Sequence, residues 1–307
     1  MITPADREAL RRILGDRIRF GVPLARLTSL CVGGPADAVA KPADRGELAA
    51  LLSICTQRRL PHTVLGAGFN TLALDGPLEA VVIQLGAFRR VEERPGAIRV
   101  EAGASHSQVS RFCADRGLSG LEFASGIPGT VGGWLAMNAG VPDREMRHVV
   151  LEVEVMSPTG RHRRRLPGSG LRFVYRAMRG LAPGSIVLSA LLRVTVSEPR
   201  KVRETTDALL ARRARTQPLN VPSCGSVFVN PPGDHAGRLV EAAGLKGHRI
   251  GGAQISPLHA NFITNTGGAT AADVLALVCE ARRRVRDTSG RLLVPEVRIV
   301  GRKVDAS

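Results

Sequence analysis

The stretch that decides the fold is Gly120-Leu121-Glu122-Phe123-Ala124-Ser125-Gly126-Ile127-Pro128-Gly129-Thr130-Val131-Gly132-Gly133. Glu122 is the single charge between residues 120 and 140, whereas both flanks are rich in charge. Glycine lets successive backbone N–H groups point inward together with no Cβ in the way, the geometry of an anion-binding nest. Two further glycine-rich stretches lie upstream, Val32-Gly33-Gly34-Pro35-Ala36-Asp37 and Val64-Leu65-Gly66-Ala67-Gly68-Phe69-Asn70-Thr71. The second follows a short apolar strand, where a turn can hold a diphosphate. It is not a dinucleotide fingerprint of the Rossmann kind: no third glycine opens a helix, and Leu72-Ala73-Leu74-Asp75-Gly76 reads as extended. No Gly-Lys-Ser/Thr occurs, which excludes a P-loop NTPase. Taken singly, each stretch also reads as a tight turn.

Outward from these loops, helices and strands are mixed, so the class is α/β or α+β. Thr3 caps a helix that Pro4 starts and Gly15 stops. A second helix is predicted over 44–58 and a third over 106–117, capped by Ser105. Strands are predicted at 63–65, 81–83 and 151–155, and a hairpin around Pro95-Gly96 joins Val91-Glu92 to Ile98-Arg99-Val100-Glu101. A further helix spans 201–215, and the Pro/Ser/Gly cluster at 217–225 marks a boundary or a functional loop. Thr270 caps an amphipathic helix whose Val274, Val278, Ala281 and Val285 fall on one face; Gly290 ends it, and Leu292-Leu293-Val294 leads into a last strand.

The chain has 307 residues, more than the roughly 150 of one average domain, so two or more packing units are expected. No apolar run approaches the roughly 18 residues that cross a bilayer, and the start shows no secretory pattern. A cytosolic protein is expected. Of 43 basic residues only Lys41, Lys201, Lys246 and Lys303 are lysines, leaving 39 arginines, as much the mark of codon bias as of a basic surface. The net charge of +16 favours anionic ligands, yet aromatics are only 3%, too few for the stacking platforms of single-strand binders. Phosphate-bearing small ligands are therefore favoured over nucleic acid. Cys31, Cys55, Cys113, Cys224 and Cys279 form no Cys-x-x-Cys and the histidines no cluster, so reduced, mostly buried thiols and no metal are expected.

Three places could carry chemistry. Phe173-Val174-Tyr175-Arg176 sets the only tyrosine beside an arginine; Gly225-Ser226 sits in a constrained loop; Glu296 stands at the edge of the last strand in Pro295-Glu296-Val297-Arg298. On spacing alone, a solvated arginine, a turn hydroxyl and a paired carboxylate are the simpler readings. No Gly-x-Ser-x-Gly surrounds Ser226, so a serine hydrolase is poorly supported.

Taken in order, residues 120–133, Ala136-Met137-Asn138-Ala139-Gly140, Tyr175-Arg176, Gly225-Ser226-Val227-Phe228, His259-Ala260-Asn261-Phe262 and Pro295-Glu296-Val297-Arg298 resemble the UDP-N-acetylenolpyruvoylglucosamine reductase family, in its shorter bacterial form. The match runs over residues 24–301. The resemblance implies an α+β fold: an FAD-binding region of the vanillyl-alcohol-oxidase type in two subdomains, 1–78 and 79–200, and a substrate-binding domain, 201–307, whose last strand near 292–301 returns to the FAD-binding region. It implies that the FAD diphosphate lies along Gly66, Ala67, Gly68, Phe69, Asn70 and Thr71 and along Ser125, Pro128, Gly129, Thr130, Gly132 and Gly133. It also implies an NADPH-dependent reduction of the enolpyruvyl ether of a UDP-sugar to UDP-N-acetylmuramate, a peptidoglycan precursor. Hydride arrives at the terminal vinyl carbon and a proton at its neighbour. Arg176 matches the stabiliser of the growing negative charge, Ser226 the proton donor and Glu296 the residue that polarises the substrate carboxylate, protonated or through a shared proton. Tyr175, Asn230 and His259 match substrate contacts. A monomer is expected.

Several positions depart from the family pattern. Phe69 stands where serine is usual, Val229 and Leu258 where lysine is, Ala177-Met178 where Asp-Ser is common, and Cys31 where a basic residue is frequent. Val141-Pro142-Asp143-Arg144-Glu145 replaces an Ala-Tyr-Gly-type turn. Two alternatives stay open on sequence: a paralogue of the same fold with another substrate, and a basic non-catalytic protein that binds nucleic acid.

Overall fold

A computed structural model describes residues 2–302; the outer ends of the expected first and third segments lie outside them. By packing, the chain forms two compact units interleaved in sequence. The first takes residues 2–20, 38–66 and 80–212; the second takes 21–37, 67–79 and 213–302. This division differs from the consecutive segments 1–78, 79–200 and 201–307, because 21–37 and 67–79 pack with the C-terminal region.

In the first unit, helix α1 (Pro4–Leu14) starts where the sequence predicts: Thr3 Oγ1 accepts from Asp6 N at 3.2 Å while Thr3 N donates to the Asp6 carboxylate at 3.0 Å. Helix α2 (Arg45–Gln57) buries Leu48, Leu51, Leu52 and Cys55, one face of a 3.6-residue period. Both helices share a core with Ala38, Ala40, Val81 and Ile83 of a sheet ordered Ile18–Pro23, Pro35–Ala40, Leu78–Ile83, His62–Val64. A second sheet is antiparallel throughout, ordered Arg163–Pro167, Val150–Met156, Ile186–Arg193, Ala97–Glu101, Val91–Arg94. Helix α3 (His106–Arg116) ends at Gly117, left-handed at φ 62, where a Cβ would lie 2.2 Å from the Ser197 carbonyl oxygen. The glycine stretch itself folds into a short helix, α4 (Val131–Ala136), whose Val131, Trp134 and Leu135 join Ile98, Val153 and Leu192 in the core. Helix α5 (Pro199–Thr216) begins slightly earlier than predicted.

The strand at Val150–Met156 buries a charge that alternation would leave in water. Glu154 accepts from Ser189 Oγ at 2.9 Å and pairs with Arg45 at 3.3 Å. Burial alone would raise its carboxyl, but the Ser189 hydroxyl and Arg45 together hold it below the usual range.

In the second unit, an antiparallel sheet is ordered Ser223–Ser226, Phe262–Asn265, Ala253–Ile255, Arg249–Ile250. Helix α6 (Ala236–Ala242) and helix α7 (Ala271–Ser289) pack with it in one core. The predicted face of α7, Val274, Val278, Ala281 and Val285, is buried as a set. Thr270 caps α7, and the Asp75 carboxylate takes the N–H groups of Ala271 and Ala272 at 2.9 Å each. Leu292-Leu293-Val294 is not a strand. The last strand is Arg298–Val300, and it pairs parallel with Thr71–Ala73. Cys55, Cys113 and Cys224 are buried, which pushes each thiol up to about 12, while Cys31 and Cys279 are exposed. Among the described residues no helix is long and apolar enough to cross a membrane.

Candidate active site

Two of the glycine-rich stretches meet in the first unit. A Cβ on Gly66 would lie 2.9 Å from Thr130 Oγ1, so only glycine leaves this approach unobstructed. The stretch around Thr130 is pinned by backbone bonds: His106 N donates to Gly129 O at 3.2 Å, Val131 N to Ala104 O at 3.0 Å and Gly132 N to Ala102 O at 2.8 Å. Gly129 has φ 122, which L side chains rarely adopt. Ser125 is buried and accepts from Ser110 Oγ at 2.9 Å. Pro128 is half-buried and Gly133 exposed, its N–H capped by Thr130 Oγ1 at 3.4 Å.

The rest of the 66–71 loop belongs to the second unit. At Gly68, φ 71, a Cβ would lie 2.3 Å from Leu27 O, and Ser29 N donates to Gly68 O at 3.3 Å. Phe69 is partly exposed, while Thr71 opens the strand paired to Arg298. Among the described residues, the N–H groups of Gly66, Ala67, Gly68 and Phe69 meet no protein acceptor. Unspent backbone donors on a loop held in place by its neighbours fit an anionic group such as the diphosphate of FAD.

Arg176 lies on a two-residue turn in the first unit. Strands Arg172–Val174 and Ala177–Arg179 pair so that Val174 faces Ala177, leaving Tyr175 and Arg176 as the whole turn. Arg176 takes φ 56, the positive value a turn of this kind asks of its second residue. Its Nη2 donates to Gly140 O at 3.4 Å, and its guanidinium lies 4.8 Å from the ring centroid of the exposed Tyr175.

Ser226 and Glu296 come together in the second unit. Ser226, half-buried, ends a strand and faces Phe262 across the ladder; Gly225 before it has φ 75. Glu296 N donates to Val227 O at 2.8 Å, Phe228 bridges Pro295, and Asn70 Nδ2 donates to Glu296 O at 3.2 Å. Glu296 is likewise half-buried. Asn70, expected on the cofactor loop, thus also holds the segment that carries the carboxylate.

Asn230 and His259 stand differently from Ser226. Asn230 Oδ1 accepts from Ala236 N at 2.9 Å and caps α6. His259 Nδ1 accepts from Asn261 N at 3.2 Å, its ring lies 5.0 Å from that of Phe262, and it packs against Gly237 of α6. Burial lowers its pKa and favours the neutral ring.

The residue-by-residue reading of chemistry passed over Asn261 and Asn138. Asn261 grips the backbone of Phe228 at both ends, Nδ2 donating to its oxygen at 2.8 Å and Oδ1 accepting from its N–H at 2.9 Å. Asn138 does similar work beside Arg176. Both lie inside stretches that carry the family resemblance, which was the available signal.

The FAD binding domain model matches residues 36–165, and the molecule is an FAD-dependent oxidoreductase. The model described as UDP-N-acetylenolpyruvoylglucosamine reductase, C-terminal domain, matches residues 217–300. The reductase of Anaeromyxobacter sp. (strain K) is 44% identical over 299 residues, 97% of this chain and 90% of that protein. That of Alkalilimnicola ehrlichii is 45% identical over 298 residues, 95% of this chain and 98% of that protein. The crystal structure of the Thermus caldophilus reductase superposes with a TM-score of 0.79 at 36% identity, covering 92% of this chain and 99% of its own. The chain belongs to the UDP-N-acetylenolpyruvoylglucosamine reductase family. Its fold is the α+β arrangement expected, an FAD-binding region with a C-terminal substrate domain.

Proposed function

We propose that this protein reduces the enolpyruvyl ether of UDP-N-acetylglucosamine enolpyruvate to UDP-N-acetylmuramate, with NADPH as the source of reducing equivalents. The observation that carries this reading is that one backbone rung, Glu296 N to Val227 O, seats Glu296 next to the residue that follows Ser226, in a chain this similar to named reductases. The loop at 66–71 would hold FAD mainly through its backbone donors, and the stretch at 125–133, whose Val131, Gly132 and Gly133 N–H groups are spent within the protein, would pack against it. FAD, when bound, supplies the hydride for the terminal vinyl carbon.

The chain's own side chains do the rest. The Arg176 guanidinium engages the substrate carboxylate through two N–H groups and opposes the negative charge that grows there as hydride arrives. Ser226 holds a proton at Oγ and releases it to the carbon next to the new C–H bond, so one hydride and one proton saturate the double bond. Glu296 shares a proton with the same carboxylate and draws charge toward it. Tyr175, Asn230 and His259 contact or support the UDP-sugar. The departures at Phe69, Val229 and Leu258 leave Arg176, Ser226 and Glu296 in place. The working protein is a cytoplasmic monomer that feeds peptidoglycan synthesis.

The test is anaerobic stopped flow: enzyme reduced with NADPH is mixed with the enolpyruvyl nucleotide, and flavin absorbance returns rapidly. Reduced flavin that ignores this nucleotide but is reoxidised by another acceptor would overturn the reading in favour of a paralogue with a shifted substrate.

A further inference from the structure

Asn138 has no exposed surface, and its amide is spent on two hairpins at once. Nδ2 donates to the Glu145 carboxylate at 2.8 Å and to Val174 O at 3.1 Å, while Oδ1 accepts from Arg147 N at 3.0 Å. Glu145 belongs to the small hairpin in which it faces Gly140, and Val174 is the last strand residue before the Tyr175-Arg176 turn. The acceptor Gly140 O, to which Arg176 Nη2 donates, lies on that same small hairpin.

Arginine at φ 56 is strained, because its Cβ crowds the following carbonyl, and such a conformation persists only where surroundings over-determine it. Here one amide ties the strand entering the turn to the hairpin that receives the guanidinium. The bond to Glu145 is charge-assisted and so among the stronger ones available. With the amide gone, the turn is free to relax to negative φ at Arg176, which swings the side chain away from its present direction.

We propose that Asn138 is a positioning residue for the reduction: its buried amide fixes the turn that carries Arg176, and through it the direction from which the guanidinium meets the substrate carboxylate. The inference rests on the role given to Arg176 above. Asn138 itself has φ 41, so Asn138→Gly deletes the amide while keeping a residue that adopts that backbone freely.

In Asn138→Gly, flavin content and flavin reduction by NADPH stay within about twofold, while reoxidation by the enolpyruvyl nucleotide slows about 10- to 100-fold, the scale of a misplaced catalytic group. In an Arg176→Ala background the same change adds no further loss. Tyr175 is the only tyrosine of the chain, so protein labelled with 3-fluorotyrosine gives one 19F line from the turn itself, and Asn138→Gly shifts or broadens it. Equal slowing of both half-reactions, full additivity with Arg176→Ala, or an unmoved 19F line each overturns the proposal. Should Asn138→Gly fail to fold, Glu145→Gln weakens the same clamp, and the same readouts decide with a smaller, few-fold effect. If Arg176→Ala leaves reoxidation untouched, the functional reading fails, while the 19F line still decides whether Asn138 holds the turn.

Discussion

Arg176 and Ser226 are both steadied by a buried asparagine, but the two devices are built on different backbones. Ser226 ends a strand, and Asn261 extends the pairing by gripping both polar groups of Phe228. Arg176 sits at the tip of a hairpin, in a conformation that β-carbon sterics oppose, and Asn138 reaches only the strand before it. The short Ser226 hydroxyl follows an irregular step at Gly225, φ 75, and is placed by its rung to Phe262 together with the grip of Asn261 on Phe228. A long guanidinium on a turn has many directions open to it and needs a local constraint. The difference shows two ways of aiming a side chain: by continuing a sheet, or by holding a strained turn in place.

The sharpest break in the comparison comes from the two side chains themselves. Ser226→Ala should slow flavin reoxidation by the enolpyruvyl nucleotide by about a thousandfold, within the range for a lost proton donor, and leave reduction by NADPH near normal. Stopped-flow traces of each half-reaction check this, and equal damage to both would remove Ser226 from its role. Arg176→Lys keeps the charge and loses the two-pronged geometry, so reoxidation should fall about a hundredfold, with a higher apparent dissociation constant for the nucleotide.

The clamps come next. Asn261→Ala leaves the buried N–H and C=O of Phe228 without partners, a loss of about 2–4 kcal/mol, seen as a lower denaturant midpoint at unchanged slope. A midpoint equal to wild type would show that the strand, not the amide, holds Ser226. The smallest effect is on pH dependence. Burial keeps the folded His259 pKa below its ordinary 6.5, so as pH falls through that value the unfolded chain takes up the proton first and stability declines. His259→Gln should remove that part of the decline, measured as unfolding midpoints above and below pH 6.5.

Local chemistry made much of the fold legible. The caps at Thr3, Asp44, Ser105 and Thr270, the glycine stops at Gly117 and Gly290, and the buried stripe on α7 all follow from neighbours a few residues away. The glycine stretch was readable as a nest, but its short helix α4 was not, since six residues carry too little periodicity to register. The burial of Glu154 was not legible, because its partners, Arg45 and Ser189, are supplied by other elements. The candidate side chains were named from motif order; the asparagines that aim two of them were not, because an asparagine shows its use only through distant backbone groups.

What the sequence by itself determined are the elements and the kinds of group on offer: glycine amides, a guanidinium, a hydroxyl and a carboxylate, each set by residue type and short spacing. Tertiary structure alone decided that residues 21–37 and 67–79 pack with the C-terminal region, and that Glu296 hangs from the rung beside Ser226. The physical reason is range. Caps and turns are settled within one helical turn or hairpin, whereas the bond from Glu296 to Val227 closes a long stretch of chain, and only the whole packed core can offset the entropy of that closure.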